Sequence, residues 1–184
     1  MIALIVTAYW GQTVVSREQQ MVVEMQQNMR AAMHMLQRDI MMAGYDDDVD
    51  AAPSTTITTA GQQTFAYEYI SDASGVVETV TYSLTGGGDL QRQTGGSAAV
   101  TIAQNIQDLE FFYTEDDGNQ TSSPTNPSDV RSVGISILAA TARETKTTSN
   151  RNFTTLGGNT WTCSPGFQCR MVKAEVQCRN MTGN

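Results

Sequence analysis

Residues Arg17–Gly44 have the sequence REQQMVVEMQQNMRAAMHMLQRDIMMAG, which is the strongest indication of secondary structure in this chain. It contains no proline and no internal glycine, and it consists largely of good helix formers. Its apolar residues recur at steps of three and four: Val22, Met25, Met29, Ala32, Leu36 and Ile40. This spacing places apolar side chains on one helix face, with charged and amide groups around the rest. We therefore predict a long amphipathic helix with one packing stripe.

An uncharged apolar run from Met1 to about Val15 leads into this segment without a break. The run ends at Arg17, short of the roughly 20 residues that a helix needs to span a bilayer. It also lacks the basic start and the small-residue cleavage site of a signal peptide. We therefore expect further apolar residues to be encoded upstream of Met1, so that this helix would be the continuation of a longer hydrophobic one.

After Gly44, which suits the position just past a helix end, the pattern changes to short strands. The predicted strands alternate apolar and polar residues or are rich in β-branched ones: Thr55–Thr59, Thr64–Ile70, Val76–Leu84, Leu90–Arg92, Ile102–Thr114, Val130–Ala140 and Met171–Cys178. The polar segments Gln120–Asp129 and Thr141–Gly158 are predicted to be long loops. The expected fold class is α+β, with one long N-terminal helix packed on one antiparallel β-sheet. The helical segment would span residues 1–44 and the β-rich domain residues 45–184.

Composition limits the classes of function. The net charge of −8 argues against a general nucleic-acid-binding surface, because phosphate contacts need clustered Lys and Arg. Most of the ten methionines lie in the predicted helix, where they indicate packing rather than a cofactor site. We expect no cofactor.

No catalytic constellation is visible in the sequence. His34 is the only histidine, and it lies on the predicted helix with no nucleophile placed near it. The glycines at 86–88 lack the Lys-Ser/Thr pair and the helix of a phosphate-binding loop. The sequence therefore predicts no catalytic residue and no enzyme.

An acidic cluster invites a calcium interpretation, because Asp46, Asp48 and Asp50 offer hard oxygen ligands. The EF-hand pattern fails, since its sixth and twelfth positions would be Ala51 and Ile57 in place of glycine and glutamate. Solvated loop charge is the favoured interpretation, and a nonstandard calcium site is the weaker alternative.

Three cysteines, Cys163, Cys169 and Cys178, lie near the end of the chain. They lack CxxC spacing and a nearby histidine, so a zinc site is disfavoured. In an oxidising compartment disulfides persist, and three pairings are possible. We favour Cys163–Cys169, because a turn at Pro165-Gly166 can bring these two together.

Four stretches carry a resemblance to a known family: Val22–Tyr45 (VVEMQQNMRAAMHMLQRDIMMAGY), Val80–Leu84 with Leu90–Arg92, Ala103–Tyr113 (AQNIQDLEFFY), and Cys178–Met181. The chain from about Val14 resembles a minor pilin of the type IV pilus, of the PilW kind. It is also similar to the J-type pseudopilin of type II secretion. The family's basic leader, Gly-Phe cleavage point and early glutamate are not in this sequence.

The resemblance implies a pilin-like fold and a structural role in initiation or tip assembly of a pilus, with the helix packed in the filament core. The implied partners are other minor pilins, the major pilin and, before assembly, the inner membrane. The implied location is the inner membrane with a periplasmic domain, then the filament.

Two alternatives stay open: a J-type pseudopilin, or a tip adhesin whose loops 120–129 and 141–158 bind a ligand. A membrane-anchored hydrolase is the third and weakest alternative, because the sequence shows no catalytic site.

Overall fold

The structure is a computed structural model that describes residues 2–45, 56–70, 76–145 and 151–181. These ranges contain one long helix, α1 (Ile2–Met42), followed by β-strands. The strands in chain order are β1 (Ile57–Ala60), β2 (Thr64–Ile70), β3 (Val77–Leu84), β4 (Leu90–Thr94), β5 (Val100–Ala103), β6 (Ile106–Glu115), β7 (Gln120–Thr121), β8 (Val130–Ala140), β9 (Asn152–Thr154), β10 (Thr160–Thr162) and β11 (Cys169–Gln177). Short 3₁₀ helices span Pro127–Asp129 and Arg179–Met181.

The strands form two main sheets and a separate hairpin. A five-stranded sheet has the order β1-β2-β3-β4-β5, so each strand pairs with its neighbour in the chain. A four-stranded sheet has the order β11-β8-β6-β7, and β9 pairs only with β10. Every pairing is antiparallel. The predicted α+β class is confirmed, although the single expected sheet is divided into two.

One hydrophobic core joins the helix to both main sheets. The second half of α1 packs against β5, β8 and β11. Leu36 and Ile40 are fully buried there, in the same cluster as Phe65 of β2 and Phe111 of β6. The rings of Phe65 and Phe111 lie 5.5 Å apart between centroids, so aromatic packing links the two sheets directly.

The helix ends as its sequence predicts. Gly44 adopts a left-handed conformation with φ of +76°, which glycine reaches without steric cost. Its N–H donates to the carbonyl of Glu68 in β2 at 3.1 Å, and the N–H of Tyr45 donates to Met42 at 2.9 Å. A Cβ at Gly44 would lie 2.8 Å from the sulfur of Met181, so the chain end packs tightly on this turn.

Three predicted elements differ from the structure. The predicted strand Ile102–Thr114 is broken between β5 and β6 at Asn105, whose φ of +58° turns the chain from one sheet into the other. The predicted loop Thr141–Gly158 contains β9, which pairs with β10 in a polar hairpin. The predicted loop Gln120–Asp129 begins in β7 and ends in a 3₁₀ turn. Short polar strands carry no apolar period, so the sequence pattern did not reveal β7 or β9.

Candidate interaction surface on the long helix

Burial divides α1 into two parts. The part from Met25 onward supplies buried side chains to the core. In the earlier part several side chains are exposed: Trp10 is 65% exposed and Val15 is 53% exposed. Thr13, Val14 and Glu18 are partly buried there. At about 1.5 Å per residue the helix is roughly 60 Å long, so a considerable length carries side chains that its own sheets do not cover.

The predicted packing stripe begins at the boundary between these two parts and continues through the buried part. Met25 and Met29 are 5% and 6% exposed, and Leu36 and Ile40 are fully buried. Val22 is only partly buried at the edge of the same core. The intramolecular burial of the stripe therefore decreases toward Val22, and Val15, about two turns earlier in the helix, is 53% exposed.

An open groove of about 610 Å³ lies at this boundary, lined by Val15, Glu18, Gln19, Val22, Val23, Gln26 and Gln168. Its three valines provide apolar surface, and the glutamate and glutamines surround them with polar groups. Val23 is 50% exposed on the same turn of helix as partly buried Val22. Exposed apolar groups rimmed by polar ones are typical of a protein–protein contact surface.

A partly buried ion pair fixes the other end of α1 to the five-stranded sheet. Asp39 Oδ2 accepts hydrogen bonds from Tyr82 Oη at 2.7 Å and from Arg92 Nε at 2.8 Å. Burial, followed by the hydrogen bond to the Asp39 carboxylate, raises the pKa of Tyr82 well above its ordinary value. Burial also raises the pKa of Tyr67, and the negative charge of Asp39 adds to that effect. No local pattern predicts this network, since Asp39 and Arg92 lie 53 residues apart.

A second buried carboxylate holds the polar hairpin. Glu110 of β6 is fully buried, and its two oxygens accept hydrogen bonds from the Gly157 N–H at 2.9 Å and from Asn159 Nδ2 at 2.5 Å. Ser136 of β8 accepts the Leu156 N–H at 3.0 Å beside them. The hairpin β9–β10 is therefore fastened over the outer face of the four-stranded sheet, which explains why β8 is buried on both faces.

The cysteines pair as predicted. Cys163 and Cys169 form a disulfide, and Cys178 is a buried free thiol. Burial raises the pKa of Cys178 to about 12.

The predicted calcium ligands Asp46, Asp48 and Asp50 lie outside the described residues. In the part of the chain that is described, no three His, Cys, Asp or Glu side chains are grouped to hold a metal. His34 is exposed on α1. Within the described residues, no helix is both long and apolar enough to cross a bilayer.

Comparison with known proteins identifies the fold. The structure is similar to a solved type IV-like pilin from Thermus thermophilus, with a TM-score of 0.58 and 14% sequence identity. The match covers 85% of this chain and 97% of that one. No protein-family model matches the sequence, and no curated protein matches it. The chain therefore has a type IV pilin-like fold: a long N-terminal helix packed by its second half on antiparallel sheets.

Proposed function

We propose that this protein is a structural minor pilin that takes part in initiation or tip assembly of a type IV pilus. The observation that carries the proposal is the division of α1 into a buried half and an exposed half. The exposed half presents Trp10, Val15 and Val23 to solvent. Burying such side chains against helices of other subunits removes apolar surface from water, at about 25 cal/mol per Å².

The partners in this proposal are other minor pilins and the major pilin, which would supply the apolar helices. Before assembly the N-terminal helix would hold the protein in the inner membrane, with its β-rich domain in the periplasm. The disulfide between Cys163 and Cys169 supports an oxidising location for that domain, since disulfides persist there. In the filament the sheets would lie outside the helical core.

The experiment compares two valines of similar exposure in the cells that carry this gene. Val15 on α1 is 53% exposed, and Val100 on β5 is 62% exposed. Val15→Glu places a charge in the proposed helix–helix contact, where an unpaired charge is strongly disfavoured. We expect Val15→Glu to remove the protein from sheared filaments and to reduce pilus number in electron micrographs.

Val100→Glu is the matched control and should leave both readouts at the wild-type level. Equal incorporation of the Val15→Glu protein would contradict the proposal. Normal pili together with a loss of protein secretion would instead favour the J-type pseudopilin, which uses the same fold in a different machine.

A further inference from the structure

A second groove on α1 is lined by cationic side chains from two elements. It has a volume of about 480 Å³ and is lined by Ala31, His34, Met35, Arg38, Asp39 and Arg92. His34 and Arg38 are four residues apart, so they lie on the same helix face. Arg92 of β4 also lines the groove, so its cationic side chains come from two elements. This grouping is notable in a chain whose net charge is −8.

The single carboxylate in this groove is already compensated. Asp39 accepts hydrogen bonds from both Tyr82 and Arg92, and the Asp39–Arg92 pair is electrically neutral. Arg38 and His34 are exposed, and neither has a hydrogen-bonding or ionic partner among the described residues. The groove therefore has a net positive charge from Arg38.

Two hydrogen bonds hold the Arg92 side chain in a fixed orientation. Its Nε donates to Asp39 and its Nη1 donates to Thr94, so the guanidinium plane is fixed while the side chain stays 27% exposed. These two bonds engage two of its five N–H donors. A fixed guanidinium loses little conformational entropy when it binds an anion.

We propose that this groove binds a phosphate group through Arg38, His34 and Arg92. Donors from two separate elements suit a tetrahedral anion, which accepts hydrogen bonds from several directions. A planar carboxylate is better matched by a single guanidinium fork. The apolar side chains of Ala31 and Met35 line the same groove and offer a surface for the organic part of a phosphate monoester. The phosphate can therefore come from inorganic phosphate or from such an ester.

The test is an NMR titration of the full chain at low ionic strength with inorganic phosphate, glycerol 3-phosphate and acetate. We expect saturable shifts at His34, Arg38 and Arg92 with both phosphates, and binding of acetate weaker by about tenfold. Tighter binding of glycerol 3-phosphate supports an ester as the ligand, and equal affinities support free phosphate. Equal affinity for acetate, or no saturable shift at these residues, would overturn the proposal.

Two variants of equal charge change sharpen this test. Arg38→Gln should weaken phosphate binding by about tenfold or more, because it removes a charge-assisted hydrogen bond. Arg170→Gln is the control, since Arg170 is exposed on β11 and does not line the groove. Thermal unfolding should be the same for both variants, because both side chains are exposed. An equal loss of affinity in both would show general charge attraction and would overturn the proposal.

Discussion

Two neighbouring residues of α1 have opposite environments, and they test how the helix packs. Leu36 is fully buried in the shared core, whereas Met35 is 40% exposed. Leu36→Ala removes buried methyl groups and leaves a cavity, so we expect the free energy of unfolding to fall by about 2–5 kcal/mol. Met35→Ala should change it by less than about 0.5 kcal/mol. Urea unfolding of the two variants measures both, and equal effects would mean that this helix face does not cover the sheets.

The reactivity of the Cys178 thiol can be predicted from its burial. Its thiol is buried with a pKa of about 12, and thiolate is the reactive form. Iodoacetamide at pH 8 should therefore leave Cys178 unmodified in the folded protein and label it rapidly in denaturant. Non-reducing peptide mapping should recover Cys163 and Cys169 as one linked peptide. Recovery of Cys178 in a disulfide would contradict the assignment.

The same thiol makes stability depend on alkaline pH. Because the folded pKa lies above the ordinary value of 9.0, the folded state favours the neutral thiol. Its contribution to stability is complete below about pH 9 and is lost as the pH rises toward 12. Cys178→Ala should therefore make the fall in melting temperature over this range shallower than in the wild-type protein. Identical slopes in the two proteins would show that the thiol titrates alike in the folded and unfolded states.

At the scale of elements, Glu110 decides whether the β9–β10 hairpin stays on its sheet. Glu110→Ala leaves the Gly157 N–H and the Asn159 amide without their carboxylate partner. We expect amide hydrogen exchange in Asn152–Thr162 to become about tenfold faster or more. Glu144→Ala is the control, because Glu144 is exposed. Unchanged exchange in the Glu110 variant would mean that other contacts hold the hairpin.

The elements differ in how far their sequence reveals them. The helix and the strands Thr64–Ile70 and Val130–Ala140 have strong local periodicity, and the structure has both strands at the predicted bounds. The break at Asn105 was missed because apolar residues continue on both sides of it. The strand β9 was missed because its position depends on Glu110, more than 40 residues earlier in the chain. Contacts at that separation leave no local signal in one sequence.

The candidate surfaces also differ in how far the sequence predicts them, because some depend on nearby residues and others on residues far apart in the chain. The apolar stripe of α1 and the Cys163–Cys169 pair follow from spacing over a few residues. The network of Asp39, Tyr82 and Arg92 joins the helix to two strands, so it exists only after the five-stranded sheet has formed. The cationic groove beside it depends on the same tertiary contact.

At the scale of the whole molecule, charge and apolar surface have opposite consequences for assembly. A net charge of −8 makes copies of this chain repel one another at long range, and salt screens that repulsion. The exposed part of α1 offers short-range apolar contact that salt does not weaken. Association through the helix is therefore expected to keep the β-rich domains apart at the periphery, as the proposed filament arrangement requires.

The proposed filament role requires the exposed part of α1 to contact helices of other pilin subunits. In-cell photo-crosslinking can detect this contact, with a photoreactive amino acid at Val15 and, as the control, at Val100 of β5. We expect the probe at Val15 to crosslink to other pilin subunits, identified by mass spectrometry of sheared filaments. The probe at Val100 should give no such helix-linked product. Absence of pilin crosslinks from Val15 in cells that assemble normal filaments would contradict the account.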